Sequence, residues 1–494
     1  MSIQAFATAR IRTSAWLAVV TALAFSVRLV PLLAGGGLLG APNYDPAVYY
    51  AGAVGLFRGR LPYRDFLLLH PPGILLALQP FAALGEWVGD PGAFAAARVG
   101  FMLVGAASAA CIFCLLLGRG LAAAVIGGAA YALSPAAALV ERATWLEGPA
   151  TLLCLLALLV LRPLGKGVLS TPRAAAGGAL LALAATMKLW GLALVIVVVL
   201  WLVFTDSLRA ALGCLLGATA TAGMVLAPFA LASRDFLGDI VLAQLGRPTA
   251  RTDPLLRVNS ILGFDLAQAP AVPLAVTIGL VIIVLGALVL AVRSTPGRLY
   301  SILLATTVGV LLASPSWYAN YAAFAAAPLA LVIGSAAAQA AGWLHGGWRS
   351  TCVAVVAVLL VGTSCVQLAS RTGFGFPTAE LGRTLSARPG CLTTDQPVAL
   401  ILGDRLRTNL DRGCRLVVDL SGYIHVFDAG GESSQRAANP RFQAEMLDYL
   451  RSGESTVIMS GMWPNDFDRE SRAEVLGWPV VATVGSIEVR QPKA

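Results

Sequence analysis

Up to about residue 370 the chain alternates between long apolar runs and short polar breaks. The runs lie near 13–34, 94–117, 120–138, 149–161, 174–187, 189–205, 210–232, 271–292, 299–313, 322–341 and 351–369. A bilayer core about 30 Å thick takes about 20 apolar residues to cross as a helix. The pattern therefore predicts a mainly α, polytopic transmembrane bundle of about 11 spans. Ile74–Leu84 is also apolar, but it is short and contains Pro80. That suits an interfacial or re-entrant helix better than a crossing. The first run follows Arg10 and Arg12, is interrupted by Arg28 and has no small-residue cleavage site. It predicts a retained span, not a cleaved signal.

Beyond residue 370 the pattern changes to that of a soluble domain. Val398–Leu402, Leu416–Asp419 and Thr456–Met459 predict short strands, Phe442–Leu450 an amphipathic helix, and Val480–Val489 a terminal strand pair. The expected organisation is a membrane core over 1–370 and a small α/β domain over 371–494.

Composition sharpens this. Of 494 residues, 57% are apolar and 12% charged, and the mean hydropathy is +0.78. Soluble domains carry about 25% charged residues, so an ordinary soluble enzyme and a disordered chain are both excluded. The formal net charge of +9 sits in the apolar part, where it reads as topology and not as a nucleic-acid surface. With Ile74–Leu84 interfacial, the inner loops hold Arg10, Arg12, Arg119, Arg162, Lys166, Arg173, Arg209, Arg293, Arg298 and Arg349, with Asp206 as their only acid. The Lys/Arg bias then puts the N-terminus inside and the C-terminal domain outside. Cys391 and Cys414 are alone in that domain, and an oxidising compartment would pair them. The remaining cysteines lie in or beside spans. His, Cys, Asp and Glu spacing offers no metal site. No phosphate-binding Walker loop, nucleophile elbow or dinucleotide fingerprint occurs.

Polar chemistry is concentrated in the expected outer loops. The first, about 35–92, contains Asp45-Pro46 ahead of an amphipathic stretch to Phe57. Asp45 suits a helix N-cap, and it equally suits a carboxylate at a cavity edge. The second long loop, about 233–270, carries Arg247, Arg251 and Arg257, guanidinium groups that fit a phosphate or internal ion pairs. Glu147 sits at the outer mouth of a span. Lys188 lies within a long apolar stretch, as an intramembrane functional charge or a snorkelling turn residue. Ser314–Tyr321 is an aromatic outer turn, in which Tyr318 and Tyr321 also suit interface anchors.

The order of these motifs resembles a known family. An acid follows the first span; then come Gly59-Arg-Leu-Pro-Tyr-Arg-Asp-Phe66, His70-Pro-Pro-Gly73, a second acid and the Ser-Pro-Ser-Trp-Tyr-Ala-Asn-Tyr turn. This resembles the GT-C superfamily of integral-membrane glycosyltransferases over roughly residues 10–345. It is most similar to bacterial, especially actinobacterial, polyprenyl-phosphate-sugar-dependent enzymes of the protein-mannosyltransferase and alpha-mannosyltransferase kind. The resemblance implies Asp45 as catalytic base and Glu147 as the second acid of the cavity. It implies donor-phosphate roles for Arg247 or Arg251 and for Tyr318 or Tyr321, with Lys188 and Arg64 as further cations. His70 stands where several relatives have Lys before Pro-Pro. Tyr44, Tyr49 and Asp65 are candidates for lining the substrate cavity. Many relatives have two adjacent acids in the first loop; here Tyr44 and Pro46 flank Asp45, which fits a two-carboxylate mechanism less well.

The implied partners are a polyprenyl-phosphate-linked sugar, with mannose or arabinofuranose as the sugar, membrane lipid, and an extracytoplasmic glycolipid, wall polysaccharide or protein acceptor. No cofactor is required, a divalent metal is not indicated, and no nucleic acid is involved. The implied location is the bacterial cytoplasmic membrane. A transporter or flippase is the alternative, but no internal repeat is visible and the polar residues gather on one face.

Overall fold

The computed structural model describes residues 3–40, 43–162, 169–247, 253–263, 274–341, 375–427, 435–459 and 466–493. The chain folds into two compact units, whose bounds differ from a simple cut at residue 370. The first comprises Met1–Ala34, Val99–Met224 and Ala250–Thr372; the second comprises Gly35–Arg98, Val225–Thr249 and Gly373–Ala494.

The first unit is helical. It contains α1 (Ile3–Ala34), the second half of α3 (Gly73–Leu117), α4 (Leu121–Ala132), α5 (Pro135–Glu141), α6 (Glu147–Leu161), α7 (Thr171–Met187), α8 (Gly191–Thr205) and most of α9 (Leu208–Ala232). Helices Leu274–Ala291, Thr295–Ala313 and Ala323–Ala340 complete it. By length and hydropathy six helices among the described residues can cross a membrane, or seven if the α4–α5 pair is one broken span. α6 and α8 are apolar but have only 15 residues each, shorter than a simple crossing needs. The expected span at 351–369 lies outside the described residues. Leu274–Ala291 has a hydropathy of 3.0 but only 11% of it is buried within the protein. Such a surface needs lipid around it, and the chain is built as a multi-pass membrane protein.

Local sequence explains the breaks. The run 120–138 is split at Ser134-Pro135, where the Ser134 hydroxyl accepts from the Ala137 N–H and starts α5. The two helices meet at 57°. Small residues set the α7–α9 crossing: a Cβ at Gly178 would collide with the Cys214 carbonyl oxygen. Backbones at that separation pack by direct van der Waals contact.

Two charges missed as a pair are buried in this unit. Arg28 Nε donates to Glu141 Oε2 at 2.6 Å, and Arg28 Nη1 donates to the Ala24 carbonyl at 2.7 Å. The Tyr131 hydroxyl donates to Glu141 Oε1 at 2.6 Å. Arg28 and Glu141 are both fully buried. Glu141 is thus a buried bundle residue.

The second unit is built around a four-stranded sheet: β1 (Leu392–Thr394), β2 (Ser455–Ile458), β3 (Val480–Val484) and β4 (Ile487–Arg490). The order is β1-β2-β4-β3, parallel for β1/β2 and antiparallel elsewhere. Helix Pro440–Arg451 packs Phe442, Met446 and Tyr449 into a core with Ile458, Val475 and Trp478. The strand expected at Val398–Leu402 is a helix, Pro397–Leu402. All five residues are buried, and a wholly apolar run has no period to separate strand from helix. Leu416–Asp419 is irregular, and β2 pairs on one side with the short, unanticipated β1 and on the other with β4. Cys391 and Cys414 are disulfide-bonded, with Cα atoms 5.7 Å apart.

The first loop belongs to this unit. α2 (Tyr44–Phe57) and residues 73–88 both pack in it. α3 breaks at Gly89, which has φ 72°, so residues 73–88 form a helix distinct from the span that follows. Arg407 holds this break. Its Nε lies 2.9 Å from Asp90 Oδ1 and its Nη1 2.5 Å from Glu86 Oε1. The Asp90 N–H donates to Asp404 Oδ1 at 2.8 Å.

The Arg28–Glu141 pair gives a stability prediction. Arg28→Met leaves a buried carboxylate unpaired and is expected to destabilise the protein by about 3–5 kcal/mol. Combining it with Glu141→Leu should restore most of that loss. Thermal unfolding in detergent checks this; a single variant as stable as the parent would refute the account.

Candidate active site

Asp45 lies at the start of α2. The helix begins at Tyr44, with Asn43 at the N-cap position, so Asp45 stands in the first turn and is not the cap. It is half-buried, and the positive end of the helix dipole stabilises its charged form. Tyr44 points at the C-terminal segment: the Ser421 N–H donates to its hydroxyl oxygen at 3.2 Å. Burial raises the Tyr44 phenol well above 10, and the charge of Asp419 adds to this.

Asp419 is the second carboxylate of this cluster. Burial raises its pKa, opposed by the Gly422 N–H and by the charges of Arg247 and Arg436. Burial, with the same two guanidinium groups, pushes His425 down to about 3, so that ring is neutral near pH 7. Arg436 is anchored by Asp466 Oδ1 at 2.6 Å and by the Ser421 carbonyl at 3.0 Å. The charge of Arg247 thus acts on both Asp419 and His425. Arg251 lies outside the described residues.

The 59–73 loop is shaped by its own hydrogen bonds. Tyr63 has φ 68°, a conformation rare for a bulky residue. Three bonds hold it there: its N–H to the Phe66 carbonyl at 2.8 Å, the Ser233 hydroxyl to its carbonyl at 2.8 Å, and its phenol to the His70 carbonyl at 2.7 Å. The His70 ring meets the Tyr49 ring edge-on at 5.9 Å. Arg64 pairs with Asp65 at 2.8 Å, while Asp65 also accepts from the Leu61 N–H at 2.7 Å. Arg64 is half exposed, and its hydrogen bond lowers the Asp65 pKa. Asp239, in a short π-helical turn, is buried and raises the Tyr63 phenol further.

The other unit carries Glu147 and Lys188. Lys188 is the C-cap of α7, so it does sit in a turn, but it is only 6% exposed and does not snorkel. Its Nζ lies 2.6 Å from Glu147 Oε1 and 4.0 Å from the ring centres of both Trp190 and Tyr321. Asn320 Nδ2 donates to the same Glu147 oxygen at 2.9 Å. Glu147 Oε2 is buried with no hydrogen-bond partner among the described residues. Tyr318 is 51% exposed and packs edge-on against Tyr321. Arg257 has a different task from the one expected. It donates to the carbonyls of Leu311, Leu312 and Ser314 and stacks on Trp317, closing the end of helix Thr295–Ala313.

Sequence reasoning missed Asp419, His425, Arg436 and Asp239. None lies in a motif, and Asp419 was absorbed into an expected strand. Among the described residues no group of three His, Cys, Asp or Glu is placed to hold a metal ion.

The fold is similar to that of ArnT from Cupriavidus metallidurans bound to undecaprenyl phosphate. The TM-score is 0.60 at 15% identity, covering 97% of this chain and 98% of that one. ArnT in the apo state gives 0.62 at 14% identity, with the same coverage. The archaeal oligosaccharyltransferase AglB from Archaeoglobus fulgidus, in complex with an inhibitory peptide and a dolichol-phosphate, gives 0.59 at 12% identity, covering 91% and 69%. No family model and no curated protein sequence matches the chain. The chain has the fold of the GT-C superfamily of membrane glycosyltransferases.

Asp239 yields a pH prediction. Burial, reinforced by the charge of Asp235, pushes its carboxyl up from 3.8 to about 7. Between about pH 4 and 7 the folded state keeps a proton that the unfolded state releases, so stability falls as pH rises through that window. Asp239→Asn should lose this part of the decline. Unfolding midpoints at pH 5 and pH 8 are compared; identical pH dependence in parent and variant would rule it out.

Proposed function

We propose that the chain is an inverting glycosyltransferase that moves a sugar from a polyprenyl-phosphate donor to an extracytoplasmic acceptor. The observation that carries this reading is the near full-length match, 97% of this chain on 98% of a fold solved with undecaprenyl phosphate bound. The proposed setting is the bacterial cytoplasmic membrane, with the N-terminus inside and the C-terminal domain outside. Mannose or arabinofuranose is the proposed sugar. The proposed acceptor is a glycolipid, a wall polysaccharide or a protein.

In this reading Asp45 is the general base. Its carboxylate takes the proton of an acceptor hydroxyl, and the oxygen forms a bond to the anomeric carbon from the face opposite the phosphate. The bond between that carbon and the phosphate oxygen breaks, and polyprenyl phosphate leaves with both electrons. Cations hold the charge on the departing phosphate. Arg247 is the leading candidate, because a guanidinium can grip phosphate through paired hydrogen bonds. Arg64, His70, Lys188, Arg251, Tyr318 and Tyr321 are the remaining donor-side candidates. The unfilled oxygen of Glu147 suits a sugar hydroxyl, and Tyr49 and Asp65 are proposed to line the substrate cavity, whereas Tyr44 turns to the C-terminal segment.

Asp45→Asn removes the base and keeps the shape. Transfer from a lipid-phosphate sugar in proteoliposomes should fall by about 10²–10⁴-fold; parental turnover would sink the assignment. Arg247→Ala should raise the KM for the lipid-phosphate donor by about tenfold or more. An unchanged donor KM would remove Arg247 from the phosphate site.

A further inference from the structure

The C-terminal segment reaches the first turn of α2 through one residue. Tyr44 is covalently next to Asp45, and its phenol is gripped by a single turn. The Ser421 N–H donates to the phenol oxygen at 3.2 Å, and the nearby charge of Asp419 adds to the rise that burial gives the phenol pKa. Asp419 is itself fixed, because the Gly422 N–H donates to its Oδ1 at 2.9 Å. The turn is tight around that carboxylate: a Cβ at Gly422 would collide with Asp419 Oδ2. Arg436 ties the turn down through the Ser421 carbonyl and Asp466. The charged and titratable groups that act on Asp419 are Arg247, Arg436, Tyr44 and Tyr423.

None of these bonds is needed to make α2 helical, since the backbone and Pro46 in the first turn do that. What they fix is the direction in which the first turn presents Asp45. A general base works only within hydrogen-bond reach of the proton it takes, and small misplacements of such a group reduce rate strongly.

We propose that Asp419 is a positioning residue: by holding the turn whose Ser421 N–H clamps Tyr44 it aims Asp45, so the C-terminal segment completes the active site. This rests on the reading of Asp45 as the base. It gives the C-terminal segment a direct part in the transfer step, beyond any contact with acceptor.

The test uses the full-length protein in proteoliposomes, with a polyprenyl-phosphate sugar as donor. Asp419→Leu and Tyr44→Phe are nearly isosteric: the first removes the carboxylate that holds the turn, the second the oxygen that the turn grips. Each is expected to lower kcat by about tenfold with the donor KM changed less than twofold and the unfolding midpoint unchanged. The double variant should be no slower than the slower single, because both loosen the same clamp. Parental kcat in both singles, or independent losses that multiply in the double, overturns the clamp. A fall in the midpoint that accounts for the lost activity overturns it as well. Asp45→Asn is measured alongside. If it is inactive while the other two are at parental rates, the clamp alone fails; if it is fully active, the base assignment itself fails.

Discussion

Arg407 is the residue on which the second unit depends. It must satisfy a guanidinium that is almost wholly buried, and it does so entirely with partners from the first loop and its flanking helix. Asp90 accepts from its Nε and from its backbone N–H, Glu86 from its Nη1, and the Ala82 carbonyl from its Nη2. The Tyr50 hydroxyl of α2 reaches the same Asp90 at 3.3 Å. Removing any one partner would strand charge in a low-dielectric site, a loss larger than most side-chain changes produce. The node therefore ties α2, residues 73–88 and the C-terminal segment together. A carboxylate on α2 gains a fixed direction from that, which a free surface loop would not supply.

The bundle handles charge in two ways, and the contrast separates scaffold from chemistry. Glu141 is saturated: Arg28 takes one oxygen and Tyr131 the other. Nothing about it invites a ligand. Glu147 is unsaturated, with Lys188 and Asn320 sharing Oε1 while Oε2 has no hydrogen-bond partner among the described residues. A buried acceptor without a hydrogen bond is costly, and a bound hydroxyl would relieve that cost. Both acids occupy the same stretch of sequence six residues apart, yet their surroundings differ completely.

Hydropathy found most helices, because lipid demands continuous apolar runs and the runs are long. It placed the break before Ala93 correctly in kind, since a short run with Pro80 is a poor crossing. The strands failed where burial was complete on every side, at Val398–Leu402, and where an element was only three residues long, at Leu392–Thr394. The first-loop acid was visible because it lies in a motif. The Ser421 contact to Tyr44, the Arg436 pair and the Arg407 node were invisible for one reason: each joins segments about 30 to 380 residues apart. Spacing along the chain carries no trace of such a pairing. Positive charge in the second long loop was also ambiguous: Arg257 serves helix-end carbonyls while the charge of Arg247 acts on Asp419 and His425.

The two proposed acids are suited to different work. Glu147 is committed within the bundle: its Oε1 meets both Lys188 Nζ and Asn320 Nδ2, and Lys188 also lies against the rings of Trp190 and Tyr321. Breaking such a buried pair costs several kcal/mol. Glu147 is therefore better used as a fixed anchor than as a proton acceptor. Asp45 stands differently. It is half-buried, lies on a helix N-terminus that stabilises its charge, and belongs to a unit whose nearby groups fix the adjacent Tyr44. A base must change charge during the reaction without breaking the structure around it. In the proposed reading the proton transfer therefore falls to Asp45, whose neighbour Tyr44 is fixed by the Ser421 N–H.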